Sequence, residues 1–229
     1  MGYYPVSLEL SRRCCVVVGG GAVAERRVEG LLRAGADVTV VSPELTSVLV
    51  GMAGVGRIRH AARRYRRGDL EGAVIALTAV DDPGVTAAVA AEARERGVWL
   101  NAADDAAHCD FMLPAVVRRG VLTIAVGSGG SSPALARALR EHLDATLGAE
   151  WASLGALAAE ARVELRAVGR SADAEAWRRA LAPDVRELLA VGRLDEARQR
   201  LRARLGRGDA ALSDDPSPGA GPGLGSIPA

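Results

Sequence analysis

The first residues in this sequence that could do chemistry form a glycine-rich turn. Gly19, Gly21 and Ala24 fit the spacing G-x-G-x-x-A and follow a short apolar run at residues 14–18. In this pattern the first glycine allows a tight turn, the second lets the backbone approach a pyrophosphate, and the last small residue keeps the next helix close to the strand. The N–H groups at the start of that helix attract the anion. A purely structural turn is the alternative, but the position between a strand and a helix favours dinucleotide binding.

One part of the dinucleotide fingerprint is missing. An acidic residue is expected where the second predicted strand, residues 37–41, ends, because it would hold the adenosine ribose hydroxyls. That position is Ser42, and Glu44 follows two residues later. A serine can still hydrogen-bond a ribose, and no arginine nearby in the sequence is an obvious partner for a 2′-phosphate. The sequence therefore favours NAD over NADP.

A pair of acidic residues follows a later predicted strand. Asp104 comes just after the strand that ends near Asn101, so we expect it at the edge of a parallel sheet where such folds bind ligands. A carboxylate there could act as a general base. Loop capping is the commoner role for an Asp-Asp pair, and the residues alone favour it. Asp105 is the second candidate base.

A second glycine-rich loop, residues 127–132, opens another predicted helix. Ser132 suits the N-cap position and Pro133 the first helical position. This helix N-terminus suits a carboxylate of a ligand, and arginines can clamp carboxylates through bidentate hydrogen bonds. The alternative for each arginine is an ordinary solvated surface charge. The arginines that bracket the loop are Arg118, Arg119, Arg137 and Arg140.

Composition excludes several classes of function. The 29 basic residues are all arginine, so the chain has neither a Schiff-base lysine nor the lysine of a P-loop. The 28 acidic residues balance them, which argues against nucleic-acid and membrane partners. The arginine-rich stretch 57–67 has only Tyr65 as an interleaved aromatic residue, so we interpret it as a solvated face.

Cysteines and histidines predict no metal site. The three histidines are far apart in the sequence and no Cys-x-x-Cys occurs. Three cysteines without a disulfide framework fit a reducing cytoplasm. No apolar run approaches the roughly 18 residues of a membrane-spanning helix, and the first residues lack the features of a signal peptide. We therefore expect a cytoplasmic protein.

The elements that must position these residues alternate between strand and helix. This alternation predicts an α/β fold, a Rossmann-like domain with a parallel sheet. After it we expect a small α+β segment with a hairpin at Arg119-Gly120, then a helical domain and a Pro/Gly-rich tail too poor in apolar residues to pack. The predicted strands are 14–18, 37–41, 74–77 and 98–101, and the predicted helices are 22–34, 43–52 and 83–96. The predicted domains are 1–112 for dinucleotide binding, 113–146 for dimerisation and part of the active site, 147–208 for the helices and 209–229 for the tail.

Several motifs together identify a family resemblance. The motifs are Pro5, residues 17–26, residues 35–44, Tyr65 with Gly68-Asp69-Leu70, residues 101–105 with Cys109-Asp110-Phe111, and residues 129–134. In order and spacing the chain resembles the precorrin-2 dehydrogenase/sirohydrochlorin ferrochelatase part of siroheme synthases, from about residue 3 to 145. From there to about residue 205 the chain resembles the family only in its helical character. From this sequence we expect no methyltransferase domain of the kind that some longer members carry after this part.

The resemblance implies an activity and partners. It implies NAD-dependent oxidation of precorrin-2 to sirohydrochlorin and, in bifunctional members, insertion of Fe²⁺ to give siroheme. It also implies a homodimer built largely through the segment after residue 112. A dehydrogenase without chelatase activity is the near alternative. A non-catalytic NAD-sensing module is the distant one, although such a sensor has no reason to carry Asn101, Asp104 and the serine loop.

The resemblance also implies site residues. It makes Asp104 the catalytic aspartate, in place of the capping role that the residues alone favour. Val80 and Thr86 depart from the family's usual threonine and asparagine. The implied cofactor-binding residues are Gly19, Gly21, Ala22, Val23, Ser42, Pro43, Glu44, Ala79, Val80 and Asp81. The expected substrate-binding residues are Asn101, Ser128, Gly129, Gly130 and Arg137.

Overall fold

The structure, a computed structural model, describes residues 3–103 and 105–206. The chain forms two compact units. The first comprises the described residues through Pro114 together with Gly129–Ser132, and the second comprises Ala115–Ser128 and the described residues from Pro133 onward. The domain boundaries expected from the sequence remain predictions, and the tail expected at 209–229 lies outside the described residues.

The first unit is a five-stranded parallel sheet with the strand order β3-β2-β1-β4-β5, which confirms the predicted Rossmann-like α/β fold. A single 3₁₀ turn, Ala106–His108, follows the last strand. The strands are β1 (Cys14–Val18), β2 (Asp37–Val41), β3 (Arg59–Ala61), β4 (Ile75–Thr78) and β5 (Trp99–Ala102). The helices are α1 (Ala22–Arg33), α2 (Ser47–Gly54) and α3 (Pro83–Arg96).

β1 is apolar along its whole length because both faces of the sheet are covered. Val17 packs in the cluster that contains Val28 of α1, and Val16 packs in the cluster that contains Val89 of α3. Alternate residues of a strand point to opposite faces, so burial on both sides requires a continuous apolar run rather than an alternating one.

Local capping explains where the helices begin and end. α3 spans the predicted residues because the Asp82 side chain accepts from the N–H of Gly84, Pro83 occupies the first turn and Gly97 ends the helix with φ +68°. α2 begins later than predicted. The Thr46 hydroxyl accepts from the N–H of Leu49, which places the helix start after the predicted residue 43.

The second unit contains an antiparallel hairpin and a helical bundle. The turn at Gly120 has φ +57°, as the Arg-Gly pair predicts. The first hairpin strand begins at Ala115, directly after Pro114, because proline cannot donate to the ladder. The strands are β6 (Ala115–Arg119) and β7 (Leu122–Val126). The helices are α4 (Pro133–Thr146), α5 (Glu150–Ala167), α6 (Ala174–Ala180), α7 (Pro183–Ala190) and α8 (Leu194–Gly206).

Among the described residues, none of the helices combines the length and the apolar character needed to cross a lipid bilayer.

Candidate functional site

The glycine turn lies where the topology of the first unit places a ligand site. β1 is central, and between β3, at one edge of the sheet, and β4 the chain crosses to the opposite side of β1. Such a reversal leaves a crevice outside the carboxyl ends of the strands on either side of it, here β1 and β4. Two backbone hydrogen bonds join the strand ends there: Gly19 N–H to Val41 O at 3.0 Å, and Ala79 N–H to Val18 O at 2.8 Å.

The first two glycines of the turn are required by close backbone packing. Gly19 has φ +118°, and a Cβ at this position would lie 2.3 Å from the carbonyl oxygen of Ala79. A Cβ on Gly20 would lie 1.9 Å from the carbonyl oxygen of Glu44. Both distances are far inside van der Waals contact. The G-x-G-x-x-A pattern leaves position 20 open, so sequence reasoning missed that Gly20 is as constrained as Gly19.

Gly21 is different, because it faces open space. A Cβ there would have no atom within 4 Å, and Gly21 is the N-cap of α1 with no side-chain hydrogen bond to the helix end. Ala24 is fully buried, which brings the helix close to the sheet, and Ala22 and Val23 are exposed in the first turn. An uncapped helix N-terminus beside an open glycine is the geometry that binds a pyrophosphate. The residues present therefore fit a dinucleotide.

The loop after β2 is held in place by its own polar groups. Ser42 is buried, and its hydroxyl donates to the carbonyl oxygen of Glu44 at 2.7 Å. His60 Nε2–H donates to the carbonyl oxygen of Ser42 at 2.9 Å. The hydroxyl proton of Ser42 is thus used within the loop. Pro43 and Glu44 are exposed at this edge, which makes Glu44 the acidic side chain available to a ribose.

Thr46 ties the same loop to the glycine turn and to α1. Its N–H donates to the carbonyl oxygen of Gly20 at 2.9 Å, and its hydroxyl donates to Glu25 Oε2 at 2.8 Å. The loop after β4 borders the turn from the other side, where Ala79 and Val80 are half-buried and Asp81 is exposed. The predicted cofactor-binding residues of three loops are therefore brought together at one edge.

The end of β5 carries a second polar cluster. Asn101 is only 5% exposed, and both ends of its amide are engaged. Its Oδ1 accepts from Arg27 NH1 at 2.9 Å, and its Nδ2 donates to the carbonyl oxygen of Phe111 at 2.9 Å. The role of Asn101 as a substrate ligand remains a prediction. Arg27 is a residue that sequence reasoning missed, because its partner lies 74 positions away and no local pattern links them.

The structure describes only one of the two acidic residues after β5. Asp104 lies outside the described residues. Asp105 Oδ2 lies 2.6 Å from Nδ1 of His108, so the second candidate base already has a partner. Asp110 turns back to the strand, where its carboxylate accepts from the N–H of Leu100 at 2.8 Å. Within the described residues, no group of three or more His, Cys, Asp or Glu is arranged to hold a metal ion.

The Tyr65 and Gly68 motif is anchored by a buried carboxylate. Glu92 on α3 is 1% exposed and accepts from the Tyr65 hydroxyl, the N–H of Gly68 at 3.0 Å and Arg96 Nε at 2.6 Å. Burial opposes ionisation, but these hydrogen bonds outweigh it and lower the pKa of Glu92. Burial and the bond to Glu92 raise the pKa of Tyr65. Glu92 therefore holds the loop of Tyr65 and Gly68 against α3.

The expected substrate loop is divided between the two units. Gly129 and Gly130, in the first unit, have φ values of +62° and +82°, which favour glycine. Ser128 and Arg137 belong to the second unit, and the Arg137 side chain is 78% exposed with Glu141 at 3.3 Å. Arg119 is instead built into the fold, since its Nε donates to the carbonyl oxygen of Leu147 at 2.7 Å.

Two family models match the chain. Residues 6–115 match the model described as "Putative NAD(P)-binding". Residues 119–146 match the model described as "Sirohaem biosynthesis protein central". The first match covers the parallel sheet and the glycine turn, which makes the first unit an NAD(P)-binding domain.

Curated proteins similar to this chain are siroheme synthases. The chain is 44% identical over 158 residues to the siroheme synthase of Methylobacillus flagellatus, covering 69% of this chain and 34% of that protein. It is 37% identical over 217 residues to the siroheme synthase of Methylococcus capsulatus, covering 94% and 45%. Siroheme synthase 2 of Yersinia pestis is 35% identical and is covered to 48%. The chain therefore spans less than half the length of these relatives.

A solved structure shares the fold. The structure of SirC, precorrin-2 dehydrogenase, superposes with a TM-score of 0.70 at 24% sequence identity, covering 88% of this chain and 100% of that one. At this identity the likeness concerns the fold.

Proposed function

The chain belongs to the family of the N-terminal part of siroheme synthase, and on that premise we propose that it oxidises precorrin-2 to sirohydrochlorin with NAD⁺. The observation that carries the proposal is the open cradle at Gly21, at the same edge of the parallel sheet as the carboxyl end of β5, where Asn101 lies. A cofactor cradle next to a polar strand end is what a dehydrogenase requires, because the reacting carbon and the proton acceptor must meet at the same edge of the sheet.

The cofactor site is proposed from the residues that surround the cradle. Gly19 and Gly21 with the backbone of Ala22 and Val23 hold the pyrophosphate at the N-terminus of α1. The bound nicotinamide supplies the two-electron acceptor of the reaction. The loop of Ser42, Pro43 and Glu44 borders the adenosine ribose, and the loop of Ala79, Val80 and Asp81 lies along the cofactor. The exposed Glu44 supports NAD over NADP, since a carboxylate pairs with ribose hydroxyls and repels a 2′-phosphate.

Removal of a hydride from precorrin-2 leaves a proton to be lost, and we assign its acceptance to Asp104. The support for this role is the sequence position of Asp104 two residues after β5, whose carboxyl end lies at the ligand-binding edge of an open parallel sheet. Asn101, Ser128, Gly129, Gly130 and Arg137 are proposed to contact the substrate. Precorrin-2, the proposed substrate, carries eight carboxylates. Arg137 has an exposed guanidinium, which is the group that pairs with a carboxylate.

A second reaction is favoured by the relatives. The similar curated proteins are siroheme synthases, and siroheme forms when Fe²⁺, as a substrate, enters sirohydrochlorin. A carboxylate such as Asp104 can accept the pyrrole protons that the metal displaces. A dehydrogenase without this chelatase step, and an NAD-binding sensor without catalysis, are the alternatives.

We further propose a homodimer in the cytoplasm. The β6–β7 hairpin has only two strands, which is marginal for an isolated sheet. Its Leu122 and Ile124 are exposed, and an apolar cavity of about 270 Å³ lies between the hairpin and Trp151. A second copy of the chain would cover this surface. The described cysteines are all free, which fits a reducing compartment.

The test of the proposed function is an absorbance assay of the purified chain. With precorrin-2 and NAD⁺ we expect NADH and the spectrum of sirohydrochlorin to appear together, and with Fe²⁺ added, the spectrum of siroheme. NADP⁺ in place of NAD⁺ should support a slower reaction. Binding of NAD⁺ without turnover would contradict the enzyme and favour the sensor. Light scattering of the same sample should give a dimer, and a monomer at micromolar concentration would contradict the assembly.

A further inference from the structure

Arg27 joins α1 to the end of β5. Its NH1 lies 2.9 Å from Oδ1 of Asn101 and 3.1 Å from the backbone oxygen of the same residue. Both atoms belong to a residue that is almost fully buried. A buried oxygen that loses its donor is destabilised, because water cannot replace the lost hydrogen bond. The Asn101 amide is therefore fixed in one orientation by a cation from another element.

The nitrogen of the same amide lies near a second group that holds this segment, the thiol of Cys109. Asn101 Nδ2 lies 3.6 Å from Cys109 Sγ, and the sulfur accepts from the N–H of Ala102 at 3.2 Å. The sulfur also lies 3.3 Å from the carbonyl oxygens of Ala102 and Asp105. Burial raises the pKa of the thiol, so it stays neutral and donates its single proton to one of these two carbonyls at a time. Cys109 thus holds the backbone on both sides of sequence position 104.

We propose that Arg27, acting through Asn101, is a positioning residue for the segment 101–111, with Cys109 as its second anchor. This inference rests on the proposed function, in which the same segment supplies the base for precorrin-2 oxidation. A general base works only at hydrogen-bond distance from the proton that it accepts. A shift of about 1 Å in such a group costs on the order of 10²-fold in rate. The two anchors hold Asn101, Ala102 and Asp105, which flank that base in the sequence.

The first arm of the test compares two arginines of the same helix. Arg27→Gln removes the guanidinium that reaches Asn101, and Arg26→Gln removes an exposed neighbour as the matched control. We expect Arg27→Gln to lower kcat by about tenfold or more and to leave the KM for NAD⁺ unchanged. Arg26→Gln should resemble the wild type. Arg27→Lys keeps the charge and a donor, and should recover part of the lost kcat.

The second arm removes the thiol. Cys109→Ala should also lower kcat at unchanged KM for NAD⁺, whereas Cys14→Ala, at the start of β1, should have little effect. Equal activity in the Arg27 and Arg26 variants would overturn the inference. It would also be overturned if Arg27→Gln lost thermal stability and NAD⁺ affinity together, since the arginine would then serve the fold as a whole.

Hydrogen exchange followed by mass spectrometry separates this inference from the proposed function, because it requires no substrate. Arg27→Gln should speed exchange in the peptides covering 101–111 and leave those covering β1 and β2 unchanged. If the wild type fails to oxidise precorrin-2 while this local change appears, the proposed function fails and the positioning role stands. Unchanged exchange at 101–111 would overturn the positioning role whatever the activity.

Discussion

The two polar regions of the first unit are built in opposite ways. At the glycine turn the contacts are made by backbone: Gly19 and Gly20 leave no space for a Cβ, and Gly21 leaves space open. At the end of β5 the contacts are made by side chains, with Arg27, Asn101 and Cys109 brought from separate parts of the chain. A backbone site requires small residues in a fixed local order. A side-chain site requires a folded protein to assemble it.

This difference determines which departures from the family's pattern the two regions can tolerate. At the glycine turn, two bordering positions proposed to line the cofactor depart from the expected pattern: Ser42 stands where an acid is usual and Val80 where the family has threonine. Contacts from backbone N–H groups survive such changes. At the end of β5 each side chain has a specific hydrogen-bonding partner, so we expect substitutions there to have larger effects on catalysis than on cofactor binding.

The largest expected effect tests the backbone region. Gly21→Asp should abolish detectable NAD⁺ binding, because a carboxylate would occupy the open space that the pyrophosphate requires. The fold should be retained, since a Cβ at this position meets no atom within 4 Å and aspartate is a favourable N-cap. Calorimetric titration measures the affinity for NAD⁺, and thermal unfolding measures the stability of the fold.

Gly20→Ala is the matched control for that experiment. Its Cβ would collide with the carbonyl oxygen of Glu44, so it should lower the melting temperature even without cofactor. If Gly21→Asp bound NAD⁺ with unchanged affinity, the dinucleotide site would have to lie elsewhere.

The next effect tests the side-chain region. Asp104→Asn keeps the size of the side chain and removes its basicity, so turnover should fall by roughly 10²-fold or more. NAD⁺ affinity should not change, because the cradle is formed elsewhere by backbone. Asp105→Asn should have a smaller effect, since Asp105 already pairs with His108. Near-normal turnover of Asp104→Asn would identify Asp104 as a positioning group, and Asp105 would be examined first as the base.

A moderate effect is expected at the buried carboxylate of α3. Glu92→Gln should reduce the free energy of unfolding by about 1–3 kcal/mol at neutral pH, because charge-assisted bonds from Tyr65, Gly68 and Arg96 are weakened. The pKa of Glu92 is lowered by folding, so its stabilisation is present above the unfolded pKa of about 4.3 and is lost as the pH falls through the folded value. Urea unfolding of the variant should therefore show a weaker loss of stability in acid. An identical acid profile would contradict the assignment.

The smallest effect is expected at Val80. Val80→Thr restores the hydroxyl that the family usually has, and one added hydrogen bond contributes about 0.5–1.5 kcal/mol. NAD⁺ affinity should rise by no more than about tenfold, with kcat unchanged. A larger gain would mean that side chains contribute more to this cradle than its geometry suggests. Val80→Ala, which adds no hydroxyl, is the control.

Much of the first unit could be predicted from local sequence. The helix expected at 83–96 coincides with α3, and the strands expected at 14–18 and 37–41 coincide with β1 and β2. These features depend on residues that are neighbours in the chain, such as caps, glycines and apolar runs. The helix expected at 43–52 was misplaced because Thr46, rather than an earlier residue, caps α2 and also bonds Glu25 on α1.

The sequence by itself determined the parallel sheet, the glycine turn and the family, because each is specified by residues adjacent in the chain or by motifs in a fixed order. Only the tertiary structure decided that Gly20 must be glycine, that Glu92 anchors the Tyr65 loop and that Arg27 holds Asn101. Each of these facts is a contact between residues far apart in the sequence. No period or motif encodes such a contact, since it exists only after the strands have packed and brought the two partners within hydrogen-bond distance.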